Sequence, residues 1–256
     1  MDKIKVKLVS HDDLAAVATA CKITRSMGKV DDIYQLKNDW SKEKIQSMLE
    51  YPHSKLGRFT DFNFLILGAS RRFLSQIITH HVGCDLISGS LQYSDMTNNT
   101  IYANNMFVVP YSIICKAETE DENGLINTWI IDYYIKSQLK CLETYESLRE
   151  HDIDNDTAGY VMPMASRNNI YLKVNLEELR FIANQRLCRR NTDETRYVVG
   201  LMVEEVIKAT RLKDELFMPT CHDRPCPEGR YSCGCPVMCN TIKELLDIDF
   251  VNIRNA

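Results

Sequence analysis

Arg72, Gln76 and His80 recur at four-residue intervals within "SRRFLSQIITHH". This spacing predicts a helix over 70–81 with all three side chains on one face. A cation, an amide and an imidazole in line can grip a phosphate or a heteroaromatic ring; a solvated helix face is the alternative. His80 and His81 are neighbours, so on a helix they point about 100° apart and make a poor pair of ligands for one metal. The loop that follows, "VGCDLISGSLQYSD", carries Ser88 and Ser90 around Gly89. It lacks the G-x-S-x-G elbow of a serine hydrolase. No G-x-G-x-x-G or P-loop occurs in the chain, so neither a dinucleotide fold nor a nucleotide triphosphatase is indicated. Backbone N–H groups near Gly83 and Gly89 can still approach an anion.

A second concentration of charge lies in "NQRLCRRNTDETR". If it is helical, Arg189, Asp193 and Arg196 share one face, and Arg186 and Arg190 another. Intrahelical ion pairs account for part of this; an anion site built from guanidinium forks is the alternative. Further on, Cys221, Cys226, Cys233, Cys235 and Cys239 are spaced five, seven, two and four residues apart. That is not a zinc-ribbon pattern. Cys221, Cys226, Cys233 and Cys235 could hold a zinc ion, with Cys239 or His222 as substitutes; disulfides, free thiols or an iron–sulfur site remain open. The other cysteines, Cys21, Cys84, Cys115, Cys141 and Cys188, are scattered and read as buried thiols.

The elements that must position these residues follow from periodicity. Strands are predicted at 3–9, at 60–67 (ended by Gly68), within 105–117, and at 168–175. Helices are predicted at 11–26, 41–51, 70–81, 124–150, 176–190 and 192–213, with a loop from Gly83 to about Asn105. Asn175 and Glu178 form a capping box for the helix at 176. Ile126, Trp129, Ile130, Tyr133 and Tyr134 read as the core face of the longest helix. The fold class is α+β (mixed α/β), a central sheet flanked by helices over 1–216, followed by a separate Cys/Pro/Gly-rich tail at 217–256. The chain has 256 residues, is 45% hydrophobic and 26% charged, and carries a net charge of −4. That balance argues against a stable nucleic-acid partner. No apolar run approaches the roughly 18 residues of a membrane span. The N-terminal "MDKIKVKLVSHDD" lacks a signal-peptide apolar segment, so a cytoplasmic location is expected.

Together, "FNFLILGASRRFLSQIITHH" and "SGSLQYS" resemble the flavin-dependent (alternative) thymidylate synthases. Phe62, Phe64, Ile66, Gly68, Ser70, Arg71, Gln76 and His80 match that family's first motif in unbroken register, and His53 falls at a family histidine. Asn184, Arg186, Arg190, Glu194 and Arg196 match its second motif, and Cys226 to Gly234 match a C-P-E-G-x-x-S-C-G stretch found in some members. The resemblance implies a homotetramer with active sites shared between subunits. It implies FAD as cofactor, NADPH and methylenetetrahydrofolate as co-substrates, and reductive methylation of dUMP to dTMP, with the flavin N5 accepting the hydride and passing on the one-carbon unit. It assigns Gln76, Ser90, Gln92, Arg196 and Arg72 to the nucleotide, with Ser90 and Arg196 catalytic. Thr79, His80, His81, Asn184, Arg186, Arg190 and His53 fall to the cofactor.

The departures are specific. The family's R-H-R triplet is Thr79-His80-His81, the loop arginine is Gln92, the loop is one residue longer, and a family histidine is Phe59. Each lost arginine removes a charge-assisted contact worth about 1.5–3 kcal/mol. Arg58, Arg71, Arg72 and Arg189 are the candidate replacements. Two other readings are therefore kept: action on another pyrimidine nucleotide, and a non-catalytic nucleotide-binding homologue.

Overall fold

Alternation in two strands builds the sheet. Phe62, Phe64 and Ile66 are buried in β2 (Asp61–Ser70), and Ile170, Leu172 and Val174 in β4 (Arg167–Asn175). A period of two sends each set to one face. The strands pair antiparallel, with Phe64 opposite Leu172 and Ile66 opposite Ile170, so the two sets form one apolar surface. β1 (Lys5–His11) flanks β2, and β3 (Cys84–Ser88) flanks β4, giving the antiparallel order β1-β2-β4-β3. The structure is a computed structural model and describes residues 4–25, 41–49, 55–96, 106–122, 124–222 and 224–254.

Gly68 does not end the second strand, as its sequence suggested. It takes φ +72° inside a register shift between Ile66 and Ala69, and the strand continues to Ser70. That backbone conformation costs a residue with a Cβ and suits glycine. The bulge is held at 3.1 Å by Gly68 N–H donating to Asn169 Oδ1, and at 2.8 Å by Arg167 Nη1 donating to the Gly68 carbonyl.

Helices cover the apolar face. After α1 (Ala15–Arg25) and α2 (Lys42–Leu49), Ser70 caps α3 (Arg71–Ile77) by accepting from Phe73 N–H. α4 (Tyr111–Ala117), α5 (Trp129–Glu150) and the short α6 (Asn155–Ala158) follow. Asn175 caps α7 (Leu176–Arg186), and Thr192 caps α8 (Asp193–Thr210). α8 is buried nearly all round and packs on β1, β2 and α7. Its Gly200 permits a close approach of α9 (Ile242–Asp249): a Cβ there would lie 2.5 Å from Leu246 Cδ2. α10 (Val251–Arg254) follows α9.

Several expected boundaries move. The helix expected over 70–81 stops at Ile77, so His80 lies beyond it. The loop expected to about Asn105 contains β3, whose five residues are too short for periodicity to separate from a turn. The apolar strand expected within 105–117 is a single bridge, Phe107 to Ser166, followed by α4. The helix expected to reach Arg190 ends at Arg186. The expected core face of the long helix is largely outside: Trp129 is 62% and Tyr133 71% exposed. α5 instead buries Leu142 and Tyr145 further along, in a small cluster with Met106, Phe107, Ala158 and Met162. Helical spacing identifies a stripe but not what covers it.

The region after Leu216 is not a separate appendage. Phe217, Val237, Cys239, Ile242, Leu245, Leu246 and Phe250 join the main core beside Val198, Val199 and Met202 of α8. Phe250 is fully buried between Tyr111 and Tyr197, with ring centroids at 5.4 and 5.2 Å. Phe250→Ala is expected to cost about 3–5 kcal/mol of global stability. Urea unfolding monitored in the far ultraviolet measures it; an unshifted midpoint would indicate an independent tail.

Candidate functional site

The site begins at the end of β2. Ser70 N–H donates to Glu194 Oε1 at 2.6 Å, and Ser70 Oγ donates to Glu194 Oε2. This buried contact ties the start of α3 to the first turn of α8. Burial raises the Glu194 carboxyl, and its hydrogen bonds from Ser70 oppose that. α3 then carries Gln76 to the end of α7, and the chain after it delivers Thr79 and His80.

At that junction the two arginine-poor and arginine-rich stretches meet. Arg186 Nε donates to His80 Nε2 at 2.9 Å. Its Nη1 donates to Gln76 Oε1 at 3.2 Å and to Asn191 Oδ1 at 3.4 Å, and its Nη2 to Thr79 Oγ1 at 3.0 Å. His80 Nδ1 lies 3.0 Å from Glu178 Oε1. A ring that accepts at Nε2 must carry its proton on Nδ1, so the network describes a neutral imidazole donating to Glu178. Burial, then the nearby Arg186 charge and His81, lower His80 to about 4, in agreement with that assignment.

Arg186 also opens onto a cleft of ≈ 820 Å³ between the end of α7 and the cysteine-rich segment. Arg190 and Arg224 join it on the wall, with Gln185, Asn191 and Ser232 among the polar groups. The far wall is clipped in place. Asn184 Nδ2 donates to the Met218 carbonyl, Thr220 N–H donates to the Asn184 carbonyl at 3.2 Å, and Arg190 Nη1 donates to the Tyr231 carbonyl. Arg224 Nε is anchored on the Thr220 carbonyl at 2.8 Å. Three guanidinium groups around a concave surface suit phosphorylated ligands.

Other expected residues lie elsewhere. Ser90 and Gln92 sit on the loop after β3, where Ser90 Oγ accepts from Gln92 N–H at 3.2 Å, and neither lines this cleft. Arg71 is the cation beside that loop, with Nη2 3.4 Å from the Gly89 carbonyl. Arg72 and His81 are exposed. His53 lies outside the described residues. Arg196 is engaged in packing: 6% exposed, it pairs with Asp249, lies 3.7 Å from Asp193, and stands over the Phe250 ring at 5.3 Å. Of the arginines read as replacements, Arg58 pairs with Glu177 on the surface and Arg189 with Asp249. The cations that do reach the cleft are Arg186, Arg190 and Arg224. Sequence reasoning missed Arg224 because nothing local links it to residues forty positions earlier.

The sequence offered Cys221, Cys226, Cys233 and Cys235 as zinc ligands. Cys188, Cys221, Cys226, Cys233 and Cys235 all line the cleft. Among the described residues, however, no three His, Cys, Asp or Glu side chains are grouped as metal ligands. Cys239 is buried in the core, where burial pushes its thiol up. Among the described residues, no helix is long and apolar enough to cross a membrane.

The family model described as "Thymidylate synthase complementing protein" matches residues 7–210. The flavin-dependent thymidylate synthase of Clostridium tetani is 25% identical over 243 residues, spanning 90% of this chain and 93% of that protein. The Pyrococcus horikoshii protein of the same name is 28% identical over 218 residues, 82% of each. Among solved structures, thymidylate synthase X from Helicobacter pylori with FAD and dUMP aligns with a TM-score of 0.62 at 17% identity, covering 84% of this chain and 99% of that one. The UMP/dUMP methylase PolB from Streptomyces cacaoi, bound with 5-Br dUMP, aligns with a TM-score of 0.64 at 16% identity, covering 80% and 91%. These structural likenesses establish the fold.

The His80 assignment has a consequence for stability. The imidazole falls from an ordinary 6.5 to about 4 in the folded chain. Between those values the unfolded chain binds the extra proton, so His80's contribution is full above the upper value and is lost as pH falls toward the lower. Urea midpoints measured from pH 7.5 to pH 4.5 are expected to fall less steeply in His80→Gln than in the native protein.

Proposed function

The chain belongs to the thymidylate synthase complementing protein family, and from that premise we propose that it is a flavin-dependent enzyme that reductively methylates dUMP to dTMP. One observation carries the reading: Arg186 draws Gln76, Thr79 and His80 of one motif together with Asn191 of the other, on the wall of a cleft that also presents Arg190 and Arg224. The donor set fits phosphate-bearing ligands. Arg190 and Arg224 would hold the flavin's diphosphate, and Arg186 and Gln76 the nucleotide. Bound flavin supplies the two-electron relay between the nicotinamide and the one-carbon unit. Overall, dUMP gains the methylene of methylenetetrahydrofolate, a hydride from NADPH and a proton, releasing tetrahydrofolate and NADP⁺.

The residues of this chain bind and polarise. The Arg186 guanidinium is charged at any ordinary pH, and its nearest partners, His80, Gln76 and Thr79, are neutral, so that charge is not compensated. It is therefore placed to stabilise negative charge developing on the pyrimidine as its C5 becomes nucleophilic. We assign that role to Arg186 and not to Arg196, whose charge is spent on Asp249 and Asp193. His80, neutral near pH 7, orients Arg186 and does not act as a proton donor. Ser90 and Gln92 lie away from the cleft of their own chain; we assign them to the cleft of a neighbouring copy in a homotetramer. Gln92, an amide where the family carries arginine, also favours a second reading in which UMP or another pyrimidine nucleotide is accepted.

The native protein is expected to be yellow or to take up FAD, and to convert dUMP with methylenetetrahydrofolate and NADPH; flavin-saturated protein without turnover of dUMP or UMP would overturn the reading. Arg186→Ala is expected to weaken dUMP binding by about 10- to 100-fold, the equivalent of about 1.5–3 kcal/mol. Arg196→Ala should instead lower global stability by about 3–5 kcal/mol, by leaving Asp249 short of a buried partner. Calorimetric titration and urea unfolding of both variants separate the two roles.

A further inference from the structure

Glu178 is placed to do something the capping-box pattern does not explain. In a capping box its side chain would reach back to the Asn175 N–H. Here that N–H donates to the Gly83 carbonyl at 2.9 Å, and Asn175 Oδ1 alone accepts from Glu178 N–H. The Glu178 carboxylate is thereby left to accept from His80 Nδ1 at 3.0 Å, with side-chain exposures of 4% for His80 and 12% for Glu178. Phe181, one turn further along α7, meets the imidazole edge-on, with ring centroids 5.9 Å apart at 71°. The ring is thus held from two sides, and its other nitrogen receives Arg186 Nε at 2.9 Å.

We propose that Glu178 and His80 are positioning residues: the carboxylate holds the imidazole as its Nδ1–H tautomer, and the Nε2 lone pair then aims Arg186 into the nucleotide site. The inference rests on the reading above that Arg186 faces the nucleotide. Its physical advantage is in charge. A carboxylate bonded directly to Arg186 would orient it but cancel most of its field. A neutral imidazole interposed between them orients the guanidinium and leaves its positive charge for an anion. The four Nη hydrogens of Arg186 are likewise taken by neutral acceptors, Gln76 Oε1, the Gln76 carbonyl at 3.3 Å, Thr79 and Asn191, so the guanidinium is oriented without its charge being cancelled. In a chain that has lost both arginines flanking His80, this arrangement makes one remaining cation count fully.

The test uses the intact protein, with Glu178→Gln and Glu178→Ala. Gln keeps an acceptor oxygen for Nδ1–H; Ala does not. Both remove the same negative charge from the first turn of α7, so a merely structural role would affect them alike. Long-range ¹⁵N–¹H correlation on unliganded protein reads the tautomer, and calorimetry reads dUMP binding. The native protein and Glu178→Gln are expected to show the Nδ1–H form and Kd values within about threefold of each other. Glu178→Ala is expected to lose the fixed tautomer and bind dUMP about tenfold more weakly. An Nε2–H or doubly protonated His80 in the native protein at neutral pH overturns the proposal, as does equal dUMP binding by the two variants. Should Glu178→Ala fail to fold, the native tautomer and its retention in Glu178→Gln decide the matter. Native protein that binds no dUMP overturns the functional reading, while the tautomer still decides the relay.

Discussion

The antiparallel pairing of β2 with β4 is the constraint on which the rest of the molecule depends. Ser70 at the end of β2 lies opposite Arg167, and Cys84 at the start of β3 lies opposite Val174 at the other end of β4. The segment between them must therefore return along the sheet. It does so as α3 and a short turn, delivering Gln76, Thr79 and His80 beside α7, the helix that continues directly from β4. Residues about a hundred positions apart meet because two strands share one apolar face. The Gly68 bulge lies just before this departure, and the Ser70–Glu194 contact fastens its start to α8. Chemistry at this site is positioned by backbone pairing before any side chain acts.

Charge is handled in two different ways around α8. Arg196 is buried and neutralised by Asp249 and Asp193, with Phe250 beneath it. Removing either partner of such a pair leaves an uncompensated buried charge, so its value is in fastening α9 to α8. Arg186 is treated in the opposite manner. Its partners are neutral acceptors, and part of its guanidinium faces an open cleft. Two arginines ten residues apart thus have separate work, and the difference is entirely in what surrounds them.

Thr79, His81 and Gln92, the positions at which the family resemblance implies arginines, take on a different meaning in the fold. Thr79, with its short side chain, accepts a hydrogen bond from Arg186. The cysteine-rich segment, clipped to α7 through Asn184, Arg190 and Thr220, brings Arg224 to the same cleft. Cationic character is gathered from α7, the turn after it and the C-terminal region.

Much was legible in the chain itself. The strand patterns at 60–67 and 168–175, the Asn175 cap, and the ordered motifs around Gln76, His80, Arg186 and Glu194 specify strands, a helix start and family, because each depends on neighbours within a turn or a strand. What lay beyond reach depended on distant partners. The side of α5 left exposed and the joining of Phe250 and Ile242 to the main core follow from what packs where, which periodicity does not encode. Arg186 and Arg196 belong to one stretch of sequence and look equally fit to bind an anion. Tertiary structure alone separated them, by setting Asp249 against one and a neutral, carboxylate-held His80 against the other.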